Sequence, residues 1–150
     1  MLELARVESE EQEPAEALDV HAAAAALLER YAPHVELVLH EAPKTVQIAE
    51  PHLRAVLVNL VENALRHGAG QPVQVRLGSR DQRLTISVRD HGPGISDANQ
   101  ARLFQRFFTT ERDRGGTGLG LSIVKAIAEA RGGEVSADSG PSGSTFHVLL

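Results

Sequence analysis

The stretch AVLVNLVENALRHGAG, residues 55–70, decides how the rest of the chain is read. Its apolar positions Val56, Leu57, Leu60, Val61, Ala64 and Leu65 recur at helical spacing and predict a core-facing stripe. Asn59 and Asn63 stand inside that run, although Asn is a poor helix-interior residue because its amide competes for backbone hydrogen bonds. Asn59, Glu62, Asn63 and Arg66 fall at i, i+3, i+4 and i+7 and therefore share one face. The ordinary reading of such a stripe is a solvated outer face. A plain outer face more often uses Lys, Glu or Gln, which favour helix. Two short amides one turn apart instead suit oxygen donors aimed at something, such as a hydrated cation. His67 follows directly on this face.

Around this helix the chain has 150 residues, the length of one domain with a real core. It has no Trp, one Tyr and four Phe, so the core is expected to be Leu, Val, Ile and Ala. The absence of Cys excludes disulfides and thiolate metal sites and fits a reducing compartment. No apolar run is long enough to span a bilayer, and no signal-peptide pattern opens the chain. A net charge of −5 argues against a general nucleic-acid binder but not against an anionic ligand. Backbone N–H groups, a helix N-terminus and a metal ion can hold a nucleotide without a global positive field.

Residues 1–18 read as a linker or the tail of a preceding helix, and 19–150 as the domain. Asp19 is the expected N-cap of an Ala-rich helix that Pro33 ends. VELVLHE (35–41) and KTVQIAE (44–50) alternate like strands and predict a hairpin, with Ala42 and Pro43 in its turn. Pro51 suits the first turn of the central helix and Gly68 its C′ position. Strands are expected over 72–79 and 83–90, turning through Gly78 to Gln82. A Gly/Pro loop then opens into a short helix. A second long helix stops at Gly132 and Gly133, and a terminal hairpin closes around Gly140 to Gly143. The fold class this order predicts is α/β (α+β): a two-layer sandwich with a mixed, largely antiparallel sheet and helices on one face. It lacks the regular alternation of a doubly wound Rossmann sheet.

Three further segments carry chemistry. DHGPGI (90–95) delivers the carboxylate Asp90 into a loop with Gly92 and Gly94. It reads either as a simple turn or as a purine pocket. In a purine pocket the carboxylate accepts from the adenine exocyclic amine, and the glycines admit the ring to the backbone. RGGTGLGLSIVK (114–125) crowds glycines before a helix, which is either a hinge or a phosphate cradle. It is neither a Walker A loop nor G-x-G-x-x-G, since Leu121 stands where the third Gly would be. LFQRFF (103–108) holds three of the four Phe. Core packing is expected for Phe104, while Phe107 or Phe108 is left to pin a lid or dock a partner. The seven His show no metal-ligand spacing.

In this order the segments resemble the catalytic and ATP-binding domain of sensor histidine kinases, over about residues 19–150. NLVENALRHG is similar to that family's N box, DHGPGI to its first glycine box, LFQRFF to its F box and GGTGLGLSIVK to its second glycine box. The resemblance implies a Bergerat-type ATP fold with ATP and Mg²⁺ as ligands. By the same carry-over, Asn63 coordinates Mg²⁺, Asn59 lies near phosphate or metal-bound water, and Arg66 lies near the phosphates. His67 replaces a Tyr that packs on adenine. Asp90 reads the adenine amine, in a pocket shaped by Gly92, Gly94 and Ile95. Gly116, Thr117, Gly118, Leu119, Gly120 and Leu121 line the phosphates. Ser144 or Thr145 supports the adenine site, Phe107 counts among the ATP-binding residues, and Arg112 or Arg114, in the lid over 109–115, reaches the γ-phosphate.

The gyrase-like and chaperone ATPases of this fold activate water with an acid four residues before the metal Asn. Here that position is Asn59, whose amide has no basic lone pair to take a proton. Glu62, adjacent to Asn63, is left as a catalytic candidate that could assist, although it is not the matching position. The implied site holds ATP for an external nucleophile, a His nitrogen presented in line to the γ-phosphate. That His is expected on a separate dimerisation and phosphoacceptor domain, for relay to a response regulator. The kinase acceptor motif is absent, and His40-Glu41-Ala42-Pro43 departs from it at the fourth position. The implied setting is a cytoplasmic domain, monomeric as a piece, from a homodimeric parent that is an inner-membrane sensor. No nucleic-acid or direct membrane contact is expected of the piece. A GHKL-type ATPase or Ser/Thr kinase, and a non-catalytic nucleotide-sensing module, remain the alternatives.

Overall fold

The computed structural model describes residues 16–68, 70–105 and 120–150. Strand β1 (Ala17–Asp19) leads into helix α1 (Val20–Leu28) and a 3₁₀ turn (Glu29–Tyr31) that ends before Pro33. Strands β2 (Val35–Leu39) and β3 (Thr45–Gln47) precede the long helix α2 (Glu50–His67). The hairpin β4 (Val73–Arg80) and β5 (Arg83–Arg89) follows, then the one-turn helix α3 (Asp97–Gln100). Helix α4 (Gly120–Ala130) and the hairpin β6 (Glu134–Gly140) and β7 (Gly143–Leu149) complete the described chain. The main sheet has the order β2-β4-β5-β7-β6, parallel only between β2 and β4, so it is mixed and largely antiparallel as expected.

Period-two alternation builds the core. Val73, Val75 and Leu77 of β4, Leu84, Ile86 and Val88 of β5, and Phe146 and Val148 of β7 are all buried. Against them lie Val56, Leu57, Leu60, Val61 and Ala64 of α2 and Ile123, Val124, Ile127 and Ala128 of α4. The stripe read from the sequence is therefore the inner face of α2. Leu103 is buried, and Phe104 meets Phe146 edge-on at a centroid distance of 6.2 Å, the packing role expected for it.

Four expectations are corrected. Strands β2 and β3 do not form a hairpin: β3 pairs antiparallel with β1, and β2 pairs parallel with β4. Tight hairpin turns need positive φ, which Pro43 cannot adopt, so the chain leaves the sheet after β2 and returns through α2. Because Ala17 and Leu18 belong to β1, the fold begins no later than Ala17 rather than at Asp19. The β4–β5 turn is Asp81–Gln82 alone, with φ of 53° and 68°, and Gly78 stays in the strand. Finally, Gly68 caps α2 at φ −81°, and the left-handed residue is Gly70 at φ +79°.

Asp19 does cap α1: its carboxylate accepts from the Ala22 N–H at 3.0 Å. Asp19→Ala is expected to cost about 1 kcal/mol of stability, measured by urea unfolding of the two proteins.

Candidate functional site

Helix α2 meets the loop after β5 at its C-terminal end, where Gly92 packs on the His67 carbonyl, and meets the start of α4 at Asn59. Asn63 is 8 % exposed, Asn59 is half-buried and Arg66 is exposed. An amide sequestered on a helix otherwise buried by aliphatic side chains supplies a hard oxygen donor, the type that Mg²⁺ takes. Glu62, also exposed, looks elsewhere: its Oε1 accepts from the Tyr31 hydroxyl at 3.3 Å, beyond the end of α1. Burial, and then the Glu62 charge, push the Tyr31 hydroxyl above its usual pKa. The structure therefore engages Glu62 with the 3₁₀ turn that follows α1 and does not bring it together with the other site residues.

Asp90 is the most informative side chain. It is 1 % exposed at the end of β5. Its Oδ1 accepts from the Gly92 N–H at 3.0 Å and from the Ser144 N–H at 3.3 Å. Its Oδ2 is buried and has no hydrogen-bond partner among the described residues. A buried carboxylate oxygen without a donor costs free energy, so one oxygen organises the loop while the other waits for an outside N–H. A Cβ at Gly92 would collide with the His67 carbonyl oxygen, and one at Gly94 (φ +87°) with the Gly140 carbonyl oxygen. These close approaches hold the loop against the end of α2 on one side and the β6–β7 turn on the other. His67, half-buried, thus adjoins the Asp90 loop through its backbone.

The β6–β7 hairpin supplies residues that sequence reasoning missed. Ser139 Oγ accepts from the Ile95 N–H at 2.7 Å and lies 2.8 Å from Ser144 Oγ. The Asp90 N–H donates to the Ser144 carbonyl at 2.9 Å, and a Cβ at Gly143 would collide with the Asp90 carbonyl oxygen. No local signal marks Ser139, since its role exists only once the hairpin meets the loop. Of the pair Ser144 and Thr145, only Ser144 faces Asp90. Thr145 pairs with Arg89 and Asp138 and lies on the opposite face of the sheet by strand alternation.

One turn before Asn63 on α2, the side chain of Asn59 meets Gly120, the first residue of α4, and Leu121 is partly buried on the core. Phe107, Arg112, Arg114, Gly116, Thr117, Gly118 and Leu119 lie outside the described residues.

The far face of the sheet carries a second polar chain. Ser87 Oγ lies 3.0 Å from His147 Nδ1, and His147 Nε2 lies 3.0 Å from Asp138 Oδ2. The strands bearing these side chains pair with one another, and a triad without converging oxyanion donors is a poor catalyst. We assign it to sheet cohesion. No group of three potential metal-ligating His, Asp or Glu occurs among the described residues.

Adenine fits the residues present, since its exocyclic amine is the N–H donor that Asp90 Oδ2 lacks. Comparison with known proteins points the same way. Residues 48–150 match the family model described as histidine kinase-, DNA gyrase B- and HSP90-like ATPase. The chain is 41 % identical over 100 residues to the signal transduction histidine-protein kinase AfsQ2 of Streptomyces coelicolor, covering 65 % of this chain and 18 % of that protein. It is 35 % identical over 118 residues to the alginate biosynthesis sensor protein KinB of Pseudomonas aeruginosa, covering 77 % of this chain and 20 % of KinB. It therefore spans about a fifth of the length of these relatives. Among solved structures, full-length ShkA in complex with AMPPNP superposes with a TM-score of 0.82 at 27 % identity, covering 99 % of this chain and 34 % of ShkA. The mycobacterial sensor histidine kinase MprB superposes with a TM-score of 0.76 at 29 % identity, covering 91 % of this chain and 96 % of that structure. The chain belongs to the histidine kinase-, DNA gyrase B- and HSP90-like ATPase family.

Proposed function

We propose that this domain binds Mg·ATP and presents the γ-phosphoryl group to a histidine on a separate phosphoacceptor domain, from which a response regulator takes it. The observation that carries the nucleotide half is the buried, donor-less Oδ2 of Asp90. The half that concerns the acceptor rests on Asn59, which cannot act as a general base toward water, and on Glu62, held by Tyr31.

The division of labour follows from placement. Asp90 Oδ2 and the Gly92–Gly94 backbone select and seat the base, with Ser139 and Ser144 keeping the loop in position. Asn63 would hold the metal, which when bound neutralises phosphate charge and aligns the terminal phosphoryl group. Arg66, exposed on the same helix face, is available to the phosphates. With no acid or base among the described residues placed to activate water, the domain orients and stabilises while the nucleophile arrives from outside. Among the described residues no helix is long and apolar enough to cross a membrane. The cytoplasmic setting, the homodimeric membrane-sensor parent and the assignment of residues 1–18 to a linker or the tail of a preceding helix, shortened at its end by β1, belong to the same reading.

The test is incubation with γ-labelled ATP, with and without an added histidine-bearing acceptor-helix domain. Label is expected on the acceptor domain and not on this chain, with slow phosphate release. Rapid phosphate release from ATP alone would instead favour an ATPase, and ATP binding without either outcome a nucleotide-sensing module.

A further inference from the structure

The polar face of α2 meets the start of α4 at Asn59, and the contact is tight. Asn59 Nδ2 donates to the Ala55 carbonyl, one turn back on its own helix, at 2.7 Å. This turns Oδ1 toward the first residue of α4. A Cβ added at Gly120 would stand 2.9 Å from Asn59 Oδ1, 3.6 Å from its Cγ and 3.7 Å from its Cβ. The amide cannot yield for free, because swinging Oδ1 away also pulls Nδ2 off the Ala55 carbonyl.

We propose that Asn59 is a positioning residue rather than a metal or phosphate ligand: its locked amide is the seat on which α4 begins, and Gly120 is glycine because that seat is occupied. Asn59 thereby sets the separation between α2, which carries Asn63, and the start of α4. The amide left for the metal is Asn63, one turn nearer the Asp90 loop. The polar pair that breaks the apolar rhythm of α2 thus has two jobs, one mechanical and one chemical. The binding readout rests on the ATP reading of the site; the mechanical claim does not.

The seat makes a prediction of changing sign. Ala is a better helix former than Gly, so Gly120→Ala is stabilising unless something stands where the new methyl must go. Wild type, Asn59→Ala, Gly120→Ala and the double variant are compared by melting temperature without nucleotide and by affinity for Mg·AMPPNP. Gly120→Ala is expected to lower the melting temperature by roughly 3–5 °C in the wild-type background and to raise it in the Asn59→Ala background. The affinity of Gly120→Ala is expected to fall about tenfold below wild type and to return to that of Asn59→Ala in the double variant. Additive effects, or a harmless Gly120→Ala, would overturn the proposal. So would a loss of about 100-fold from Asn59→Ala alone, the signature of a direct ligand. If Gly120→Ala does not fold, recovery of folding in the double variant supports the seat and failure of both overturns it. If the wild type binds no nucleotide, the ATP reading fails while the melting temperatures still decide the seat.

Discussion

Asp90→Asn is expected to weaken ATP binding by about 100-fold, about 2.7 kcal/mol, while leaving the fold in place. The substitution keeps the shape and one oxygen, so the Gly92 and Ser144 N–H groups retain their acceptor. At the other position an NH₂ replaces Oδ2, the buried atom without a donor. Two donors then face one another where the carboxylate would have accepted from the adenine amine. The loss combines a charge-assisted hydrogen bond with an unpaired buried group, each worth about 1–3 kcal/mol. Guanine carries an oxygen at the corresponding place, so the preference for ATP over GTP, large in the wild type, narrows in the variant. Calorimetric titration with both nucleotides measures this, and a melting temperature taken without nucleotide controls for folding. An unchanged ATP affinity, or equal wild-type affinities for ATP and GTP, removes the adenine assignment.

Asn63→Ala is expected to abolish the magnesium-dependent part of ATP affinity, a loss of about 10–100-fold. The direction of its stability effect is the opposite. Asn63 is a buried polar residue in the middle of α2. Ala is the best helix former and Asn among the weaker, with a gap of up to about 0.7 kcal/mol. The variant is therefore expected to melt no lower than the wild type, as when a residue is kept for function at a cost to the fold. Titration with and without EDTA separates the contributions: the two proteins should bind ATP alike once the metal is removed. Binding equal to wild type in the presence of Mg²⁺ would show that this face is only solvated.

The contrast between Asn63 and Asn59 shows where sequence reading reaches its limit. Both stand on one face by helical spacing, and both were expected near metal or phosphate. Their spacing cannot tell that Asn59 abuts Gly120, a residue 61 positions away along the chain. Glu62 is a similar case. It lies next to Asn63 in sequence, yet the helix turns it toward Tyr31. Thr145 and Ser144 are neighbours too, and strand alternation places them on opposite faces. Asp90, in contrast, was identifiable from the sequence because a strand ending in a carboxylate followed by a Gly/Pro loop is a local pattern. That its Oδ2 is left bare was not, since this depends on which backbone groups of β7 arrive beside it.

From the sequence alone came the helices, most of the strands, the buried stripe of α2, the Asp19 cap and the polar face carrying Asn63. These depend on periodicity, capping and turn chemistry, which act between residues a few positions apart. Tertiary structure alone decided that β2 runs beside β4 and β3 beside β1. It also decided that Ser139 and Gly143 shape the Asp90 pocket and that Asn59 seats α4. The physical reason is common to all of these. Alternation and spacing specify which side chains a segment buries, whereas partner choice and close approach are set by elements far apart along the chain competing for the same space.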